Sequence, residues 1–341
     1  MKDSTWYLSY KVVEGVKTNN SITTAIDKWF KGTERPPASY TEKDNTGKDK
    51  PVSLQYAPLQ VDRVKNSVYG SDGEARIGHI DQGKIGDCTP LAILGATFGS
   101  QTSDADNRAS SVIENMIEDN GDGTTYTIRF YNGSSPEYVT VDNQVVTLNG
   151  KLYGAKIDDG QLDPNSDGKL DPSNKDAAIW VPLVEKAYAQ WYQDSQSNTT
   201  GNGYNDIGNG ATRQEVFPRI TGLSVNNPPS PVSSTPFDQI QSALNNGKFV
   251  AVGSNTEAEK NSSSLISGSS RGTHAYSVTN AYVDSSGEQR IIVRNPWGFD
   301  GYNVATNQYV TTDGDQDGFD GFIDLSYNEF TSYFSNVVIT V

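Results

Sequence analysis

At 341 residues the chain can bury a sizeable core, and a 10% aromatic share argues against wholesale disorder despite an apolar share of only 34%. A formal net charge of −15 disfavours nucleic acid or an anionic membrane as partner and suits cations instead. The single cysteine forbids any intrachain disulfide, and no apolar run approaches the length of a membrane span.

The first residues, MKDSTWYLSYKVVEG, lack an apolar stretch of signal-peptide length. The expectation is a protein that is cytoplasmic or leaves the cell by a non-classical route, or a piece of something larger with additional domains. Ile22, Ala25, Ile26, Trp29 and Phe30 fit one face of a short helix capped by Asn20 or Ser21. The run ERPPASYTEKDNTGKDKP behind it reads as a polar linker. Residues 1–69 therefore form an extension of open role: inert, packed, or lying over a cleft.

The stretch QGKIGDCTPLAILGATF, residues 82–98, holds the lone Cys88 between a short polar loop with Gly83 and Gly86 and an apolar, helix-compatible run. A cysteine opening a helix sits near the positive end of the helix dipole, which favours the reactive thiolate. A second helix is expected over 110–117, then strands around Tyr126, Ile128 and Phe130 and over 138–146. After the Asp-rich loop DDGQLDPNSDGKLDPSNKD, Ile179, Leu183, Ala187 and Trp191 recur at helical spacing, with Glu185 and Lys186 read as a solvated face. Residues 201–210 read as a loop and candidate hinge. Prolines between Pro228 and Pro236 precede a helix over 237–244, a short strand over 248–252 and a Ser-rich loop.

That loop delivers the chain to His274, one of only two histidines. His274, Tyr276 and Val278 alternate, Asp284 to Gly287 form a turn, and Ile291 and Val293 alternate on the far side, which is the pattern of a hairpin. Antiparallel pairing brings His274, opening the first strand, beside Asn295, closing the second. A cysteine at a helix start with a histidine and an asparagine supplies a nucleophile, a base and an orienting group. His79 is assigned to a loop or the surface.

From about Gly70 to Val341 these motifs resemble the calpain-type cysteine proteases. QGKIGDCTPLAIL is similar to the family's QGxxGDCWFLAAL, THAYSV to its GHAYSV, and NPWG to its NPWG; WVPLVEKAYAQ and DGFDGFIDLSYNEFTSYF match further segments. The resemblance implies a two-lobed, papain-like α+β fold, with residues 70–210 as the Cys lobe and 211–341 as the His/Asn lobe. It implies a calcium-dependent endopeptidase acting on protein substrates, with Cys88 as nucleophile, His274 as base and then acid, and Asn295 orienting the imidazole. Gln82 is the oxyanion donor by the same resemblance, and Trp297 the shield of the His274–Asn295 bond. Thr89 and Pro90 depart from the family's aromatic residue after the cysteine, as does Thr273 before the histidine.

Each residue also has a plainer reading. A lone cysteine can be a small buried hydrophobe, and Asn295 before Pro296 a turn former. Asp313, Asp315, Asp317, Gly318 and Asp324 have calcium-loop spacing, as do Asp163, Asn165, Asp167, Gly168 and Asp171, although the first set also reads as a strand-leading turn. The rival to an active protease is a catalytically silent calpain-like module that binds calcium or a protein. A second rival, acyl transfer to an amine as in transglutaminases, is disfavoured because Asn295 stands where those enzymes have Asp.

Overall fold

A computed structural model describes residues 31–43, 47–59, 68–70, 73–102, 108–157, 177–195, 201–209, 211–226, 230–255, 274–303, 308–310 and 320–341. The helix expected around 22–30, both calcium-spaced loops except Asp324, and most of the Ser-rich loop lie outside the described residues.

The chain is a mixed α/β protein. It begins with strands β1 (Ser39–Lys43), β2 (Asp49–Ser53) and β3 (Gln55–Pro58), then helices α1 (Cys88–Ala96) and α2 (Ser111–Glu114). Strands β4 (Ile117–Asp119), β5 (Thr125–Asn132), β6 (Ser135–Asp142), β7 (Gln144–Leu148) and β8 (Lys151–Leu152) follow, and then helices α3 (Trp180–Ser195), α4 (Gly203–Gly208) and α5 (Arg213–Thr221). Next come β9 (Ser230–Pro231), α6 (Phe237–Asn245), β10 (Val250–Ser254), β11 (Ala275–Val283) and β12 (Gln289–Arg294). The last elements are β13 (Gly301–Asn303), β14 (Gln308–Val310), β15 (Phe322–Ser326), α7 (Tyr327–Tyr333) and β16 (Phe334–Ile339).

Three expectations need correction. The supposed linker is a hairpin, β1 against β2, that leads into β3 paired with β7. Val52, Leu54 and Leu59 are buried, and Arg35 bonds the carboxylate of Asp142, so residues 31–59 pack into the body of the protein. The strand expected over 138–146 is two strands in different sheets. The chain changes sheets at Asn143, whose N–H donates to the Thr124 carbonyl (2.9 Å) and whose carbonyl accepts from Leu59 (2.7 Å). The hinge loop contains α4, started by the Asn202 side chain accepting from the Asn205 N–H at 3.1 Å. Helix α5 runs through Pro218. Thr212 and Glu215 form a reciprocal cap, and Gly222, at a φ of 72°, ends the helix.

The sheet that positions the candidate site has six strands in the order β15-β12-β11-β10-β16-β9, and all its pairings are antiparallel. Strand periodicity divides its side chains between two cores. Val250, Val252, Tyr276, Val278, Ile291 and Val293 face one core with Phe237, Ile240 and Leu244 of α6 and Phe330 of α7. Ala251, Ile292, Phe322 and Val338 join the other, which contains α1, α3 and the sheet of β4, β5 and β6.

Helix α1 is buried from Thr89 to Ala96, and its lack of a polar face is the composition of a central helix. It lies on β11, where the Ser277 hydroxyl donates to the Ala92 carbonyl at 2.6 Å. A Cβ on Gly95 would stand 2.5 Å from that same hydroxyl oxygen. Gly95→Val should therefore force the helix off the strand and lower stability by roughly 1–3 kcal/mol, read from the urea midpoint. An unchanged midpoint would show that this contact does not set the packing.

Candidate active site

The loop before α1 is held from both sides. A Cβ on Gly83 would collide with the Gly154 carbonyl, and one on Gly86 would lie 2.6 Å from the Gly208 carbonyl oxygen. Only glycine allows these approaches. Asp87 occupies the cap position of α1 without making a side-chain cap, and Cys88 is the first helical residue.

Three bonds set the register of α1 and its tail on β11. Ser277 reaches Ala92, the Ser100 hydroxyl donates to the Asn280 side chain at 3.3 Å, and the Gln101 N–H donates to the Thr279 carbonyl at 2.9 Å. Following this register back to the helix start puts the Cys88 sulfur against the backbone of Ala275, the residue after His274. Burial pushes the Cys88 thiol up, and the nearby Asp87 carboxylate adds to that; the Ala275 backbone, the Thr89 hydroxyl and the Arg213 guanidinium oppose it. Desolvation thus outweighs the helix-terminus effect expected from the sequence, and the resting group is the thiol.

His274 and Asn295 meet where the hairpin predicts. The imidazole Nε2 lies 2.8 Å from Asn295 Oδ1. That oxygen also accepts from the Trp297 N–H at 3.0 Å, while Asn295 Nδ2 donates to the Asp300 carbonyl at 3.1 Å. The amide orientation is therefore fixed by its surroundings, Nε2 must carry the hydrogen, and Nδ1 keeps its lone pair. The indole of Trp297 lies over the imidazole, with centroids 4.4 Å apart, and Tyr276 meets it edge-on at 4.9 Å. Burial lowers the His274 pKa to about 4 even though the bond to Asn295 favours the cation. Among the described residues no hydrogen bond joins the Cys88 sulfur to the ring, so the structure unites His274 with Asn295 directly and brings Cys88 to the neighbouring backbone.

Gln82 ties the two regions together. Its N–H donates to the Pro296 carbonyl at 2.8 Å, inside the NPWG turn. Its side-chain Nε2 donates to the Ile85 carbonyl at 2.7 Å, leaving the second amide hydrogen for another acceptor. A parallel strut runs from the Arg294 guanidinium to the Ile80 carbonyl at 3.1 and 3.2 Å.

Three other assignments change. His79 is buried, and its Nδ1 accepts from the Trp180 indole at 2.9 Å, so it serves the core. Lys186 is buried rather than solvated, with its ammonium on the Asp142 carboxylate and on the carbonyls of Asp142 (3.0 Å) and Gln144 (2.8 Å). Glu185 is also buried, and it faces Asp87, where the Gln82 amide is the one neighbouring side-chain donor among the described residues. Burial, followed by the mutual repulsion of the pair, raises Glu185 well above the usual carboxylate range, and burial raises Asp87 as well. Two acceptors in contact with no donor between them require a shared proton. Glu185 is anchored by the Ala155 N–H at 2.9 Å. The EK pair, set among apolar residues from Trp180 to Ala189, is the available sequence clue.

Asp324 is engaged by Arg290, whose Nε donates to its Oδ1 at 3.0 Å, and by the Tyr282 hydroxyl. It therefore lacks the two free oxygens that the twelfth position of a calcium loop supplies, and Asp313, Asp315 and Asp317 lie outside the described residues. Among the described residues no group of three or more His, Cys, Asp or Glu side chains could hold a metal ion, and no helix is long and apolar enough to cross a membrane.

The model of the calpain family cysteine proteases matches residues 58–340. Comparison with curated proteins finds no match.

The carboxyl pair has a measurable signature. Unfolded, a glutamate titrates near ~4.3; folded, the pair keeps a proton to higher pH, so the native state binds more protons and stability falls as pH rises above that value. Glu185→Gln supplies a permanent donor to Asp87. The stability advantage of the variant should be small at pH 4 and grow by up to ~1.4 kcal/mol per pH unit until the pair loses its proton. Urea midpoints of both proteins at pH 4 to 8 check this; parallel profiles would mean that no proton is shared.

Proposed function

Because the chain belongs to the calpain family of cysteine proteases, we propose that it hydrolyses internal peptide bonds of proteins through a thioester on Cys88. The observation that carries this reading is the His274–Asn295 bond, which leaves Nδ1 of a neutral imidazole as the available base. In this scheme residues 70–210 and 211–341 are the two lobes of a papain-like protease, the first contributing Gln82 and Cys88 and the second His274 and Asn295.

The imidazole Nδ1 takes the thiol proton as the sulfur attacks the peptide carbonyl carbon. The oxyanion that forms receives the Cys88 N–H and the second hydrogen of Gln82 Nε2. Nδ1–H then protonates the leaving amine, the C–N bond breaks, and a thioester remains. Water, deprotonated by Nδ1, attacks the thioester; collapse releases the carboxylic acid and returns the proton to sulfur. Asn295 holds the ring without adding charge, and the Trp297 indole keeps water from their bond.

Calcium dependence is a separate part of the proposal, resting on the family and on the spacing of Asp313, Asp315 and Asp317. Bound calcium would favour closure of the lobes, which brings sulfur and imidazole within reach. Asp324 is not among the proposed ligands. A second reading, a catalytically silent calpain-like module that binds calcium or a protein, is favoured by one observation. In the described state the thiol pKa is raised, the imidazole pKa is lowered, and no hydrogen bond joins them.

Casein hydrolysis by the wild type and Cys88→Ala, each with calcium and with a chelator, separates the two. The active reading expects turnover that the variant lacks, and an epoxide adduct mapping to Cys88. Gln82→Ala should cut kcat by about two to three powers of ten while the adduct still forms. No turnover and no adduct in either condition would leave the silent module.

A further inference from the structure

One cation near the candidate nucleophile has no counterpart. Arg35 meets Asp142, Arg290 meets Asp324 and Glu288, and Arg294 meets the Ile80 carbonyl. Arg213, the first residue of α5, has neither an ion pair nor a hydrogen bond to any acceptor among the described residues, and its Nε is buried without a partner. Uncompensated burial of a guanidinium is costly.

Its placement is nonetheless specific. The guanidinium lies on Gly253, where a Cβ would stand 2.6 Å from the Arg213 Cζ and from one terminal nitrogen. Gly253 pairs across the sheet with Ala275, whose backbone faces the Cys88 sulfur, and the next residue, Ser254, holds the His274 N–H at 2.8 Å. Strand pairing therefore puts the unpaired cation near the sulfur, one strand across from Ala275. The Cys88 sulfur is also the one group through which Arg213 and the site interact electrostatically.

Resting on the reading of Cys88 as nucleophile, we propose that Arg213 determines specificity by receiving a carboxylate side chain of the substrate beside the scissile bond. The planar fork matches a carboxylate in bidentate geometry, and a bound Asp or Glu would supply the missing acceptor. The absent side chain at Gly253 makes room for the cation. The substrate class that follows is a polypeptide with an acidic residue next to the cleaved bond.

Alkylation of Cys88 by iodoacetate and by iodoacetamide tests this without requiring proteolysis. The two reagents share a leaving group and differ in the carboxylate, so the ratio of their rates cancels any effect of Arg213 on the thiol itself. The ratio in the wild type should fall about tenfold in Arg213→Gln and be largely kept in Arg213→Lys, with adducts located by peptide mapping. An equal ratio in the wild type and Arg213→Gln, with Cys88 labelled in both, overturns the role of Arg213 alone. No labelling of Cys88 by either reagent overturns the nucleophile reading and this inference with it. Should Arg213→Gln not fold, fluorogenic peptides with Glu or Gln at each of four positions before the cleaved bond decide on the wild type. A Glu preference of about tenfold in kcat/KM at one position is expected, and its absence at all four overturns the proposal.

Discussion

The site depends on how closely α1 can approach β11. Two backbones come together here because the contact residues are small: Ala92 and Gly95 on the helix and Ser277 on the strand. The Ser277 hydroxyl turns that approach into a register by bonding a carbonyl one turn beyond Cys88. The position of the sulfur relative to the end of the hairpin is then a matter of counting residues along a rigid helix and a rigid strand. Sites supported by such elements are more precise than those on loops alone.

Charge is handled in the opposite way from what an acidic chain suggests. Although the protein carries a net −15, its candidate catalytic groups rest as a neutral thiol and a neutral imidazole. The carboxyl pair Asp87–Glu185 sits directly behind the sulfur, and its shared proton halves the negative charge that would otherwise oppose a thiolate. The Arg213 guanidinium also acts on the sulfur. The thiol thus feels both a partly neutralised acid pair and an unpaired cation, so small changes in either reach the sulfur.

Much of this organisation is legible in the residues themselves. The hairpin from His274 to Asn295 can be read because its alternation and its turn are local, and the loop-to-helix junction at Cys88 because glycine and apolar runs are local too. Glu185, Lys186 and Arg213 are not legible, since a charge in an amphipathic pattern reads as solvated until a distant partner is known. Asp142 lies 44 residues from Lys186, and Gly253 is on another strand from the helix it accommodates. The polar run before residue 52 misleads for the same reason. The apolar residues that follow it, Val52 and Leu54, are spaced for one buried face, which composition averages away.

Residues 31–59 also bear on where the folding unit begins. Arg35 and Lys186 share the carboxylate of Asp142, and Asn202, which starts α4, donates to the carbonyls of Pro37 and Ser39. The family match starts at residue 58, beyond all of these contacts. A shortened protein beginning there would leave the buried Asp142 carboxylate without Arg35 and strip the cover from α4, whose last residue, Gly208, packs on the loop before the helix that carries the sulfur. The packed body of the protein therefore extends upstream of the segment it shares with its family.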